Sequence, residues 1–489
     1  MKTSPVVTRG DLEDIQQPPE PPFTTFTTWQ KRWILFLAAF TGMFSPLSSF
    51  IFYPAITSIA NGLNVSVDLV NLAVTTYMAI SGLVPAILGN AADRIGRRPI
   101  YILALSLYLA ANLGLSVQNS YAGLLILRML QSAGSSGTIS LGYGVISDIC
   151  TREERGSYVG ILLLGPNVAP PVGPILGGIL AARLGWHWIF RFLCILGGSC
   201  LLLLLLALPE TSRVIVGNGS LQARGIHRTW LPTIEKTHLD ANGREDTAPC
   251  KATYSSKLPN PLACLRLLAI KDTLVVLLCN GIFYTIYCCI QASLSTLFIH
   301  EYGYGDMEAG FIYVPFGVAC LISTVSWGKL LDWDYARIAS RAGISLDQAR
   351  SQMSERFPIR TARLRSGLYL AVVNTVATAA YGWTIQRHLH VSVPLVLQTF
   401  VGFSTTGLFV ALGTLLTDLN TDRSSTAAAS ANLIRCALSA GALAGLQPLM
   451  DHVGIGWCFT LFGMLGGLCA PAILWLMSVD TRISDLVPQ

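Results

Sequence analysis

Two arginines stand where the chain is otherwise apolar. Arg128 lies in YAGLLILRMLQSAG, with Gln131 three residues on and so on the same helical face. Arg435 lies in ANLIRCALSAGA, with Asn432 three residues before it. Charge inside an apolar segment is costly and marks a partner for a substrate, an ion or a proton. Arg128 is about two turns from the end of its segment, within reach of snorkelling to that surface. Arg435 is deeper: about nine residues into a segment that starts near 426, or roughly 13 Å at 1.5 Å per residue. Either it faces a cavity and meets an anionic or polar group, or it pairs with the carbonyls of a neighbouring helix.

A second cluster is GNAADRIGRRP, Gly89 to Pro99, set between two apolar runs. Gly89 allows close backbone approach. Asp93 suits the positive start of a helix, where it can accept backbone N–H bonds. Arg94, Arg97 and Arg98 are explained in part by the excess of positive charge on the cytosolic side of membrane proteins. A third stretch, GPNVAPPVGPILGG, carries Pro166, Pro170, Pro171, Gly173, Pro174, Gly177 and Gly178. That density of helix breakers is tolerated only where neighbouring helices take up the freed groups.

No aspartate, glutamate or histidine lies deep in an apolar segment, so no carboxylate or imidazole proton carrier is evident there. Coupling to protons would run through Asp148, near Arg128 in the sequence, or through the substrate's own ionisation. The cysteines lack metal-ligand spacing and read as small buried apolar residues. No cofactor or metal site is expected. Phe52, Tyr53, Tyr77, Asn167, Tyr284, Tyr287 and Gln291, with Asn432 and Arg435, form a candidate cavity set for an amphipathic small molecule.

The elements that position these residues follow from composition. The 489 residues are 52% hydrophobic and 12% charged, against about a quarter charged in soluble domains. Mean hydropathy is +0.54. Twelve apolar segments are long enough to cross a bilayer: 33–55, 70–91, 100–118, 122–147, 157–182, 188–208, 272–297, 309–331, 366–386, 392–417, 426–449 and 455–477. All but five of the 33 basic residues fall on one side of these segments, which predicts cytosolic termini. The fold class is an all-α membrane protein. A disordered cytosolic tail (1–30) precedes a six-helix bundle (31–208), a cytosolic middle loop (209–271), a second six-helix bundle (272–477) and a cytosolic tail (478–489). Gly89-x-x-x-Asp93 after the second segment is echoed by Gly328-x-x-x-Asp332 after the eighth. A six-segment repeat with its axis along the membrane normal is a transporter architecture.

The chain resembles the major facilitator superfamily in three motifs. Gly89, Asp93, Arg94, Gly96, Arg97 and Arg98 are in place for its loop between spans 2 and 3. Arg128, Gln131 and Gly134 match its Arg-x-x-Gln-Gly pattern, with Ser132 departing. Gly173-Pro174 and Gly177-Gly178 match the antiporter branch, with Ala169 departing. With the Pro209-Glu210-Thr211 that follows span 6, these are similar to twelve-span fungal drug:proton antiporters, the quinidine-resistance-type carriers among them. The resemblance implies alternating access, with Asp93 latching onto the start of span 11 at 424–426 and held there by Arg97. It implies that Arg128 takes part in proton coupling, that the span 5 motif seals against span 8, and that the protein is a monomer.

The expected function is export of a small amphipathic compound by proton antiport at the plasma membrane, or alternatively at a vacuolar or vesicle membrane. The alternatives are a proton-coupled organic-anion or metabolite carrier and a non-transporting receptor on the same fold. Partners are the substrate, protons and lipid, with no nucleic acid. A membrane-embedded enzyme would need a nucleophile–base pair at cavity depth, and the chain shows none. Asn64-Val65-Ser66 is a glycosylation sequon in the first outer loop.

Overall fold

The computed structural model describes residues 23–150, 155–221, 223, 225–229, 267–341, 358–420 and 424–486. Among the described residues there are twelve helical rods. They are α1 (Thr28–Leu63), α2 (Val67–Ile95), α3 (Arg97–Leu115), α4 (Tyr121–Ser135 continued by Thr138–Ile149), α5 (Arg155–Leu184) and α6 (His187–Ala207). After the middle connection come α7 (Lys271–Tyr302), α8 (Asp306–Phe311 continued by Tyr313–Arg341), α9 (Ile359–Gln386), α10 (Ser392–Leu419), α11 (Ser424–Val453) and α12 (Ile455–Gly467 continued by Cys469–Leu486). Among the described residues, eleven satisfy the length and hydropathy of a membrane crossing. The other, α4, is broken at Ser136–Gly137.

The breaks have local causes. α1 opens on a capping box, Thr27 with Gln30. It lapses near Met43 and again beyond Phe50, where Pro54 starts a 3-10 turn at Tyr53–Ala55. The loosened backbone is taken up by neighbours: the Thr138 hydroxyl donates to the Thr41 carbonyl (3.1 Å) and Tyr101 donates to the Thr138 carbonyl (3.3 Å). The breaks in α1 and α4 thus support each other.

The two six-helix halves meet along two seams. α2 lies along α11, where the Asn432 amide donates to the Ser81 carbonyl (2.8 Å). α5 lies along α8, where Gly317 leaves no room for a Cβ against Pro171 and Gly310 approaches Pro174 and Gly178. The 3-10 turn of α1 also rests on α7 and on the start of α8. The end of the bundle carrying the α2–α3 and α4–α5 connections is called the basic end below.

Candidate functional site

At the basic end a single residue, Gly96, joins α2 to α3. Its φ of +108° and ψ of 158° suit glycine alone. This sharp turn lets Arg97 reach two acids. Its Nη1 pairs with Asp93 at 2.6 Å and its Nε with Asp148, at the end of α4, at 3.0 Å. Asp93 remains 63% exposed, whereas Asp148 and Arg97 are nearly enclosed. Asp148 stands one residue beyond the apolar segment of α4. Burial pushes its carboxyl up to about 6, against the opposing pull of Arg97. Arg98 turns away from the acids. It donates to the carbonyls of Leu204, Leu205 and Leu208 and so caps the end of α6. The side chains at 424–426, the expected dock for Asp93, lie outside the described residues, as does that of Asp332.

The hub of this region is a residue to which the sequence reading gave no role. Glu210, of the Pro209-Glu210-Thr211 run, is buried. One carboxylate oxygen accepts from the backbone N–H of Arg97 (2.8 Å), Thr211 and Ser212 (3.0 Å each). The other accepts from the Arg98 N–H (3.3 Å) and from Nδ1 of His227 (2.9 Å). Glu210 is the N-cap of α3 supplied from another element, and it crowds Gly96 so that no Cβ fits there. The signal for it was an acid in a short polar run directly after span 6, close to an arginine-rich turn.

The second half repeats the geometry. Arg363, near the start of α9, pairs with Asp418 at the end of α10 at 2.9 Å, and Arg360 pairs with Asp272 at 2.6 Å. Arg97–Asp148 and Arg363–Asp418 link corresponding helices of the two halves, so the internal repeat extends to its ion pairs.

Deeper in the protein, Arg128 is fully buried. Its guanidinium lies over the rings of Phe52 (4.2 Å) and Tyr77 (4.4 Å). Its Nη1 donates to the Ser48 carbonyl (3.1 Å), where α1 leaves its helical ladder, and to Gln131 Oε1 (2.6 Å). Gln131 donates in turn to Asn112 (2.7 Å), and Asn112 to the Tyr108 carbonyl (2.8 Å). Nε and Nη2 of Arg128 have no partner. Phe52 and Tyr77, grouped above with the cavity, are the walls of this arginine box. Asp148 is not brought to Arg128. It pairs with Arg97 and lies 20 residues along α4, about 30 Å at the helical rise, because the rod runs nearly the width of the bilayer between them.

Arg435 has a different setting. It is half-buried on α11. Nη2 donates to Asn432 Oδ1 at 3.3 Å, the guanidinium lies over Tyr284 of α7 at 5.2 Å, and the buried Nε has no partner. Tyr284 belongs to a ring cluster drawn from both halves. It stacks on Tyr287 (6.0 Å), and these two meet Phe409 of α10. Tyr287 also meets Phe316 of α8 (5.2 Å) and Phe50 of α1 (5.9 Å). Phe50, Phe316 and Phe409 were not anticipated, since nothing in a single segment shows which rings converge. Tyr143, on the half of α4 nearer the basic end, is within electrostatic range of Arg435 yet 37% exposed. Gln291 is buried with neither amide atom partnered, Tyr53 is buried and Asn167 is half-buried on α5.

The motif of α5 presents two faces. Gly173 and Gly177 let α1 approach at Phe50 and Ile51, while Pro171, Pro174 and Gly178 meet α8. Asn64 is exposed at the end of α1 in a left-handed conformation.

The Major Facilitator Superfamily model matches residues 38–442. A curated relative, the MFS-type transporter phiD of a fungal species, is 38% identical over 94% of this chain and 70% of its own length. The MFS-type transporter tstD of Talaromyces stipitatus is 37% identical over 94% and 84%. Citrate exporter 1 of Aspergillus niger is 35% identical over 94% and 88%. Among solved structures, the human organic anion transporter MFSD10 (TETRAN) superposes with a TM-score of 0.55 at 16% identity, covering 93% of this chain and all of its own. That likeness speaks to the fold.

Proposed function

The chain belongs to the major facilitator superfamily, and on that premise we propose that it exports a small amphipathic organic compound by proton antiport. The observation that carries the reading is the pairing of a two-half bundle with a half-buried cationic residue beside the seam of the halves, Arg435, and an ionisable network at the basic end. The arginine asymmetry supports a cytosolic basic end. The names of the relatives support a small-molecule cargo, citrate in the case of the Aspergillus niger exporter.

In this reading Gly89, Asp93, Arg94, Gly96, Arg97 and Arg98 form the latch of alternating access. Asp148 takes up a proton as pH falls through about 6 and gives up its bond to Arg97, loosening the latch. Arg128 and Gln131 belong to the coupling because Arg128 grips α1 at its break, so movement of α1 is felt in α4. Gly173, Pro174, Gly177 and Gly178 form the seal, on α1 as well as α8. The protein acts as a monomer in the plasma membrane and carries a glycan on Asn64.

Efflux from cells loaded with labelled acidic, neutral and cationic compounds tests this, with and without a protonophore. Protonophore-sensitive efflux that falls in Asp93→Asn is the expected result. Surface-expressed protein that moves none of the panel, or moves it regardless of the proton gradient, overturns the reading.

A further inference from the structure

We propose that Arg435 is the anchor for an anion, and that the transported compound is an amphipathic organic acid whose carboxylate sits on Arg435 while its apolar body lies on the adjoining rings. This deepens the transport reading and rests on it for the word transported, though the binding site stands by itself.

The first support is charge. The apolar depths of the twelve spans hold two arginines and no acid. A guanidinium taken out of water needs opposite charge or a full set of hydrogen bonds. Arg128 is enclosed by two rings and bonded to a carbonyl and an amide, and its unpartnered Nε and Nη2 are fully buried with it, out of reach of a ligand. Arg435 has one long hydrogen bond and one ring, and its Nε is buried and unpartnered. Asn432 cannot supply more, because its amide nitrogen is held by the Ser81 carbonyl and only Oδ1 faces the arginine. The polar groups that touch Arg435 or Asn432, namely Tyr284 and Cys436, are a hydroxyl and a thiol and bring no carboxylate. The free edge of the guanidinium is thus left for a carboxylate, which it matches in shape.

The second support is the wall. Tyr284, which covers one face of Arg435, and Phe409 beside it are half-buried, and they are backed by the buried rings of Tyr287, Phe316 and Phe50. Such a surface favours an apolar body and offers nothing to further charges. A single carboxylate on a ring-sized apolar frame therefore fits better than a small polyacid. A cationic headgroup placed there would face like charge at short range.

The test uses the full chain in lipid nanodiscs and tritiated naphthylacetate, with naphthaleneacetamide, tetraphenylphosphonium and citrate as competitors. The acid is expected to bind saturably and to be displaced by itself at least about tenfold more readily than by the amide, since a hydrogen bond to a charged group corresponds to about 10- to 100-fold in affinity. Arg435→Gln should lose about that factor, and Arg435→Lys should retain part of it. The acid–amide comparison is made on the unaltered protein, so it stands even where a variant folds poorly. Absence of naphthylacetate binding, equal displacement by the amide or tetraphenylphosphonium, stronger displacement by citrate, or unchanged affinity in Arg435→Gln overturns the proposal. Counterflow of the same probes in proteoliposomes separates the two readings. Acid binding without counterflow would leave the anion site and overturn transport. Counterflow of tetraphenylphosphonium alone would leave transport and overturn the anion site.

Discussion

Arg128 and Arg435 are both cations held within apolar helices, and the protein surrounds them in opposite ways. Arg128 is closed in, with a ring on each of two sides, a gripped carbonyl of α1 and a relay of amides through Gln131 and Asn112. Arg435 has a single ring and one long bond, and its side chain is only half-buried. A cation that the fold has walled in is an internal pin. One that it has left half-exposed with few contacts is a binding group. Unpartnered nitrogens do not separate these roles, since Arg128 keeps two and Arg435 one; enclosure does.

The contrast can be broken most forcibly at Arg128. Arg128→Ala would empty the space between Phe52 and Tyr77 and orphan Gln131 and the Ser48 carbonyl. Its expected cost is on the order of 3 kcal/mol, seen as a lower melting midpoint in detergent. Arg435→Ala should cost under about 1 kcal/mol by the same melt, since little is bonded to it.

The turn that aims Arg97 comes next. Gly96→Ala forces a side chain into a backbone region reserved for glycine and against Glu210, at about 1–3 kcal/mol. Glu210→Ala removes the cap of α3 and should cost about 1–2 kcal/mol. Both melts should show losses larger than that of Arg435→Ala, and parity among the three would remove Glu210 from its place as hub.

A smaller effect distinguishes the paired acids of the two halves. The Asp148 carboxyl, raised to about 6 by burial, is charged above that pH and protonated below it. Its bond to Arg97 is therefore present at neutral pH and lost as pH falls through about 6. Initial transport rates measured between pH 5 and 7 should change with pH, and Asp148→Asn should flatten the profile. Asp418, in the corresponding place of the second half, is also pushed up by burial against the pull of Arg363, so Asp418→Asn should alter the profile in the same sense but by less. The smallest effect is at the surface: Asn64→Gln should remove a glycan shift on a gel without altering transport.

Much of the fold was legible in the sequence because the bilayer imposes a length and a hydropathy on each rod. The i,i+4 pairing of Asp93 with Arg97 was likewise within reach of spacing. What was not legible depends on breaks and on distant contacts. The lapse of α1 at Phe50 turns Phe52 toward Arg128, so a residue read as cavity lining is arginine packing. Asp148 was placed with Arg128 because both lie on span 4, yet the length of that rod delivers it to Arg97, 51 residues earlier in the chain. The glycines of α5 were read as facing α8, but a helix carrying glycine on one side and proline on another meets two neighbours. Glu210 escaped notice because a cap supplied from another element leaves no local pattern.

The most direct test of the central claim is a set of thermal melts of the full chain, Arg128→Ala and Arg435→Ala, each with and without naphthylacetate. The account requires that Arg128→Ala melt lowest without ligand, that Arg435→Ala melt near the unaltered protein, and that Arg435→Ala alone of these two lose the ligand-induced rise while well folded. If Arg435→Ala is the unstable variant, or if its melting point still rises with the acid, the two arginines do not divide the work of pin and anchor between them.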